Sequence, residues 1–123
     1  MLTLSPATRV LVAVEPVDGR LGFNGLYALV KQRLAADPLS GHLYLFTNRR
    51  RNRLKVLYWD GSGLWLCTKR LERGTFGWPQ PGPQAALPWP PEQFLALAQG
   101  LEITARRHWY RRAPPDSPRP LTC

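Results

Sequence analysis

The chain has 123 residues, 44% of them hydrophobic, and carries a formal net charge of +9 at pH 7. This length fits a single core, and the apolar content with five tryptophans excludes a disordered chain. No apolar run approaches the roughly 18 residues of a membrane span, and no segment resembles a secretory signal, so we expect an intracellular protein.

The first predicted elements are a strand, a helix and a meander. Residues 9–15, RVLVAVE, alternate as a strand does, and Pro16 ends the run. From Phe23 onward the apolar residues follow helical spacing, and this helix should end before Pro38. An antiparallel meander is then predicted from strand-like runs at 42–47, 54–60 and 64–70.

The two hairpin loops set which side chains share a face of the meander. The DGSG sequence at 60–63 supplies the glycines of a tight turn and predicts that Trp59 pairs with Leu64. We expect the first hairpin to pair Phe46 with Leu54. Side chains alternate along strands, so a one-residue shift in either loop would exchange the two faces.

With these registers, one face is aliphatic and suited to lie under the helices. Its members are Leu43, Leu45, Leu57, Trp59, Leu64 and Leu66. The other face is aromatic, and we expect it to carry a second packing layer that involves the first strand and the segment 76–79. Its members are Tyr44, Phe46, Tyr58 and Trp65.

The C-terminal third is rich in proline. Residues 80–91 are expected to run extended as a wrap or linker, because proline cannot join the interior of a sheet. Pro91 opens a second helix that should end before Gly100. We therefore predict an α+β fold, an antiparallel β-meander of about four to five strands packed against two helices. It forms one domain over residues 1–112, followed by a flexible, basic, proline-rich tail over 113–123.

Positive charge is concentrated in the meander. The segment 49–73 holds eight of the seventeen basic residues, against only Asp60 and Glu72. Pairing of the hairpins should bring 49–53 and 69–73 to the same end of the sheet, where guanidinium groups can bind phosphate oxygens. The alternative is a solvated hairpin tip. The candidate nucleic-acid-binding residues are Arg49, Arg50, Arg51, Arg53, Lys55, Lys69, Arg70 and Arg73.

A second basic cluster surrounds the aromatic residues at 108–110, and it mixes charge with stacking rings as single-strand binders do. The alternative is a segment whose rings dock on the core while its arginines face water. This secondary basic arm comprises Arg106, Arg107, Arg111 and Arg112. Trp65 and Trp78 are candidate anchors for a protein partner.

Nothing in the sequence has the pattern of a catalytic site. The carboxylates are scattered, whereas metal-assisted nuclease chemistry needs several that converge. His42 and His108 lack the spacing of zinc ligands or of a nucleophile triad, and no phosphate-binding loop is present. We predict a protein that is not an enzyme and needs no metal or cofactor.

Several sequence blocks occur together in a characteristic order. They include GH at 41–42, KVLYWD at 55–60, GLWL at 63–66, KRLE at 69–72 and a Phe76-x-Trp78-Pro79 motif. With the upstream pattern from Asp18 to Val30, they resemble the insertion-sequence Orf2-like accessory proteins, the TnpB proteins of the IS66 type, over about residues 9–79. These are unrelated to the RNA-guided nucleases of the same name.

The resemblance implies that the chain takes part in transposition of a bacterial insertion sequence alongside a separate transposase, in the cytoplasm and at the nucleoid. It implies no established active site. The expected partners are insertion-sequence DNA and the element's transposase, with no membrane. One alternative is an interaction module that docks on the transposase without contacting DNA, and a more remote one is a metal-dependent nuclease.

Overall fold

The computed structural model describes residues 8–99, which form five strands and two helices. The predicted α+β fold is confirmed, and each predicted strand and helix within this range is present. In chain order the elements are β1 (Val10–Ala13), α1 (Phe23–Gln32), β2 (Leu43–Thr47), β3 (Arg53–Trp59), β4 (Leu64–Arg70), β5 (Ala86–Trp89) and α2 (Pro91–Ala98).

The five strands form one sheet in the order β4-β3-β2-β1-β5. The meander β2-β3-β4 is antiparallel, whereas β1 and β2 are parallel because α1 carries the chain back between them. The carboxyl ends of β1 and β2 therefore meet at the same edge of the sheet as the turn between β2 and β3. That edge carries the candidate site.

Both faces of the sheet are covered. On one face, Leu26 and Val30 of α1 pack on Tyr44, Phe46 and Leu57 of the sheet. The other face is covered by Phe94, Leu97 and Ala98 of α2 together with Phe76 and Trp78, which pack on aliphatic strand residues. Every residue of β2 is buried, as expected for a central strand with a layer on each side.

The register predicted for the first hairpin is wrong by one residue. Phe46 pairs with Lys55, and Leu54 pairs with Thr47. The Asn48 side chain explains the shift, because its Oδ1 accepts hydrogen bonds from the backbone N–H of Asn52 and Arg53, both at 3.1 Å. No glycine marks the positive-φ position of this turn, which Arg51 occupies at φ 60°.

This shift exchanges the faces of β2 relative to β3 and β4. The expected separation into an aliphatic face with Trp59 and an aromatic face is therefore wrong. Leu43 and Leu45 lie with Val56 on the α2 side, whereas Tyr44 and Phe46 lie with Leu57 on the α1 side. Each face thus mixes aliphatic and aromatic side chains.

The proline-rich stretch contains an edge strand that the sequence did not predict. Within it, β5 pairs antiparallel with β1, and Pro88 lies opposite Leu11. An edge position suits this strand because a proline lacks the N–H that a central strand needs. The predicted domain boundary at residue 112 and the tail over 113–123 lie outside the described residues.

The second hairpin has the predicted register, with Trp59 opposite Leu64. Asp60 organises its turn by accepting hydrogen bonds from the backbone N–H of Ser62 at 2.8 Å and of Gly63 at 2.9 Å. Its second oxygen accepts a bond from Trp65 Nε1 at 2.7 Å. Gly61 takes φ 102°, which glycine adopts without strain. These bonds, led by the one from Ser62, hold the pKa of Asp60 well below its ordinary value of 3.8.

Asp60 should make the fold sensitive to acid. Because the folded state favours the carboxylate, the unfolded chain binds the extra proton as the pH falls, and the stability that Asp60 adds above pH 3.8 is lost below it. We expect Asp60→Asn, whose amide cannot accept from both the turn and Trp65, to lower the midpoint of thermal unfolding at pH 7 and to flatten its decline between about pH 5 and 2.

Thermal unfolding followed by circular dichroism across this pH range measures the effect. Ser62→Ala is the matched control, because it removes only the hydroxyl bond to Asp60 at 3.1 Å and should retain most of the decline. Equal pH dependence in wild type and Asp60→Asn would contradict this role.

Candidate nucleic-acid interface

Six arginines gather where β2 and β4 end and β3 begins. The β3–β4 register places Arg53 directly opposite Arg70. Leu71 N–H donates to the carbonyl of Asn52 at 2.8 Å, and Phe76 N–H donates to that of Arg51 at 2.7 Å, so the segment after β4 is fastened to the first turn. The structure thus joins the two segments that the sequence predicted would meet. We call this set the basic edge: Arg49, Arg50, Arg51, Arg53, Arg70 and Arg73.

The turn that carries three of these arginines is held by a polar framework. Besides its two backbone bonds, Asn48 donates from Nδ2 to Asn52 Oδ1 at 2.7 Å, and Arg51 N–H donates to the Asn48 carbonyl at 3.0 Å. Arg49 and Arg50 are exposed, and Arg51 is half-buried. The turn therefore presents its first two guanidinium groups to solvent on a fixed backbone.

Few carboxylates neutralise this charge. The ion pairs within residues 8–99 are Arg20 with Asp18 at 2.9 Å and Arg70 with Glu72 at 3.6 Å. The Arg70 pair is exposed on both sides, so water and salt weaken it. In the described part of the chain, the other five arginines of the basic edge form no ion pair, and their charge is available to an anion.

The two predicted lysines lie in different surroundings from these arginines. The Lys55 side chain is buried, and its Nζ donates to the Leu21 carbonyl at 3.1 Å. Burial, reinforced by Arg53, lowers the pKa of Lys55, while Asp18 opposes that shift. The half-buried Lys69 donates to the Ala98 carbonyl at 2.7 Å, at the end of α2, where a cation also complements the helix dipole. Lys55 thus ties the loop before α1 to the sheet, and Lys69 ties the end of α2 to it.

The two predicted partner anchors also differ from each other. Trp78 is only 8% exposed, and its Nε1 donates to the Ala13 carbonyl at 2.9 Å, so it belongs to the core. Trp65 is half-buried, lies opposite Tyr58, and gives its N–H to Asp60. The secondary basic arm, Arg106, Arg107, Arg111 and Arg112, lies outside the described residues.

A polar cleft adjoins the basic edge. It lies between the loop after β1 and the turn after β2, which a hydrogen bond from Val17 N–H to the Thr47 carbonyl joins at 2.8 Å. Its volume is about 390 Å³, within the roughly 300–1,000 Å³ of small-ligand pockets. We call it the β1–β2 cleft; its lining residues are Pro16, Val17, Asp18, Gly19, Asn48, Arg49 and Arg50.

Sequence reasoning missed this cleft because it depends on the parallel pairing of β1 with β2. Asp18 is its main acidic group. The Asp18 carboxylate accepts from Arg20 Nε at 3.1 Å and Nη2 at 2.9 Å, and from the Arg20 backbone N–H at 2.9 Å. These bonds, led by the guanidinium, lower the pKa of Asp18 to about 2. The sequence feature that could have indicated this cleft is a strand followed by Pro16 and a turn at Asp18-Gly19.

The described residues hold no group of three histidine, cysteine or carboxylate side chains close enough to bind a metal ion. Neither α1 nor α2 is long and apolar enough to cross a membrane.

Comparison with known proteins places the chain among insertion-sequence proteins. The model of the family described as IS66 Orf2 like protein matches residues 8–108. The uncharacterized protein y4jC of Sinorhizobium fredii (strain NBRC 101917 / NGR234) is 47% identical over 104 residues, which cover 85% of this chain and 88% of that protein. The uncharacterized protein y4hO of the same strain is 38% identical over 102 residues, covering 83% and 88%. No solved structure gives a significant match.

Proposed function

The chain belongs to the IS66 Orf2-like family, and from that premise we propose that it assists transposition by binding DNA directly through the basic edge. Membership makes it an insertion-sequence accessory protein. The observation that supports direct binding is the set of five arginines at one edge of the sheet that form no ion pair within residues 8–99. Such arginines bind phosphate oxygens through paired hydrogen bonds and displace counterions from the DNA.

The proposed contacts are with the phosphate backbone, not with base edges. Arg49 and Arg50 extend from a turn, and Arg53 and Arg70 lie on adjacent strands, so no helix presents this charge to the major groove. Phosphate contacts of this kind position a protein on DNA and carry little sequence information. We propose that the element's transposase supplies sequence choice and the chemistry, and that the complex forms in the cytoplasm at the nucleoid.

Direct binding is favoured over a module that only docks on the transposase. Of the two aromatic anchors that such docking was expected to use, Trp78 is buried and hydrogen-bonded inside the molecule. The large exposed apolar side chains among the described residues are Phe23, Leu39 and Leu95, on three different segments. These most exposed apolar side chains therefore do not form the clustered anchors of a typical protein interface.

A salt titration of DNA affinity tests this function. With a duplex probe followed by fluorescence anisotropy, the logarithm of the association constant should fall linearly with the logarithm of salt, with a slope of about −0.9 for each phosphate neutralised. Five contacts correspond to a loss of roughly 10²–10³-fold between about 50 and 200 mM salt. A flat response, or binding only when transposase is present, would contradict direct binding.

A further inference from the structure

The β1–β2 cleft has an unequal distribution of charge. Arg49 and Arg50 line the side that continues into the basic edge, and neither forms an ion pair within residues 8–99. The opposite loop contributes Asp18, whose carboxylate is ion-paired with the exposed Arg20 at 2.9 Å. Its Oδ2 accepts only the bond from Arg20 Nη2 among the described residues, so one lone pair remains for a further donor. Asn48 stands between them, with its amide already bonded to Asn52 and Arg53. The cleft thus joins a cationic side to a carboxylate acceptor.

This polarity selects a ligand with an anion at one end and N–H or O–H donors at the other. A lone phosphate could bind the arginines but would leave the free lone pair of Asp18 without a donor. A nucleotide satisfies both sides, because its phosphate can reach Arg49 and Arg50 while a base amino group donates to Asp18. The volume of about 390 Å³ is in the range of pockets for one small ligand.

We propose that the β1–β2 cleft receives one unpaired nucleotide of DNA, such as the overhanging residue of a strand end, while the basic edge holds the adjoining backbone. The proposal rests on the DNA binding proposed above and adds a preference for unpaired DNA. A paired nucleotide cannot enter a recess between two loops, because its base remains stacked within the duplex. Entry therefore requires a nucleotide that has left the stack.

Gly19 offers a way to fill the cleft without altering charge. It lines the recess, and a Cβ placed there would meet Asn48 Cβ at 3.5 Å and Arg53 Cδ at 3.6 Å, which are ordinary contacts. Gly19→Val should therefore fold, and its methyl groups should narrow the space for a base. Asp18→Asn provides a second, independent change, since it removes the anionic acceptor and keeps nearly the same volume.

The test compares three hairpin DNA probes by fluorescence anisotropy: a blunt duplex, the same duplex with one overhanging deoxyadenosine nucleotide, and the same duplex with one overhanging abasic nucleotide. The two overhangs carry equal phosphate charge and differ only in the base. We expect wild type to bind the deoxyadenosine overhang about tenfold more tightly than the abasic overhang, as for one charge-assisted hydrogen bond.

Both cleft variants should lose this preference while remaining folded by circular dichroism. Gly19→Val should bring the ratio close to one and leave affinity for the blunt duplex unchanged. Asp18→Asn should also bring the ratio close to one but raise affinity for the blunt duplex, because it removes a negative charge beside the basic edge. The control Arg33→Gln, which removes an exposed charge beyond α1, should retain the tenfold ratio.

Two results would overturn the cleft proposal and leave the proposed function standing: an equal affinity of wild type for the two overhangs, or a preference that survives both variants. Displacement of the overhang probe by millimolar dAMP, down to the affinity of the blunt duplex, is the expected result, because dAMP carries the same phosphate and base. Failure of every probe to bind would contradict the proposed function itself.

Discussion

Replacing Arg49, Arg50 and Arg51 together by glutamine is expected to weaken duplex DNA binding roughly 100-fold near 0.1 M salt, with little change in the fold. Each arginine that neutralises one phosphate contributes about 0.9 to the salt slope, so the slope should become shallower by about 2.7. The effect should be similar for different DNA sequences, because phosphate contacts carry little sequence information. Anisotropy titrations at several salt concentrations measure both quantities.

The control for this variant removes the same charge from another part of the molecule. Arg9, Lys31 and Arg33 are exposed and lie at the start of β1 and the end of α1, away from the carboxyl ends of β1 and β2. Replacing these three by glutamine also lowers the net charge by three, but it leaves the basic edge intact. An equal loss of affinity in both triple variants would show that net charge, not the basic edge, drives binding.

Local sequence was sufficient to predict the elements and one of the two hairpins. Asp60 with Gly61 and Gly63 specifies its turn through side-chain bonds and a positive φ that glycine adopts freely, so the Trp59–Leu64 pairing was predictable. In the first turn, Arg51 takes the positive φ instead, at 60°. Arginine gives no local signal for that conformation, and the predicted register was one residue off.

Long-range pairing was not available from local patterns. The parallel pairing of β1 with β2 creates the β1–β2 cleft, and the edge strand β5 places a proline opposite Leu11. Neither feature has a periodicity of its own. The gathering of arginines was predictable, because in an antiparallel meander the end of β2, the start of β3 and the end of β4 lie together. This holds even with a one-residue error in register.

Burial separated the predicted candidates into two kinds. Lys55 and Trp78 belong to motifs that also contain exposed residues, so their burial was not evident. Sequence also cannot show that Lys55 Nζ donates to the Leu21 carbonyl, or Trp78 Nε1 to the Ala13 carbonyl. Those carbonyls come from segments 34 and 65 residues distant in the chain. The arginines of the first turn, by contrast, were expected at the surface, and Arg49 and Arg50 are exposed.

The burial of Trp78 makes it the most sensitive of the candidate residues for stability. We expect Trp78→Ala to lower the free energy of unfolding by about 3–5 kcal/mol, the usual cost of removing a buried aromatic side chain. The indole packs within the α2-side core, with its ring 6.2 Å from that of Trp89 between centroids. Urea unfolding followed by tryptophan fluorescence and circular dichroism measures the change.

Two further variants separate packing from hydrogen bonding and from partner docking. Trp78→Phe retains a ring but leaves the Ala13 carbonyl without its donor at 2.9 Å, so it should cost about 1–3 kcal/mol. Trp65→Ala, at a half-buried position on the edge strand β4, should cost clearly less than Trp78→Ala because a smaller share of its surface is buried.

A Trp78→Ala protein as stable as wild type but unable to bind the transposase would mean that Trp78 acts as a surface anchor. Loss of stability together with retained DNA binding under conditions where the variant is folded would instead assign Trp78 to the core and binding to the arginines.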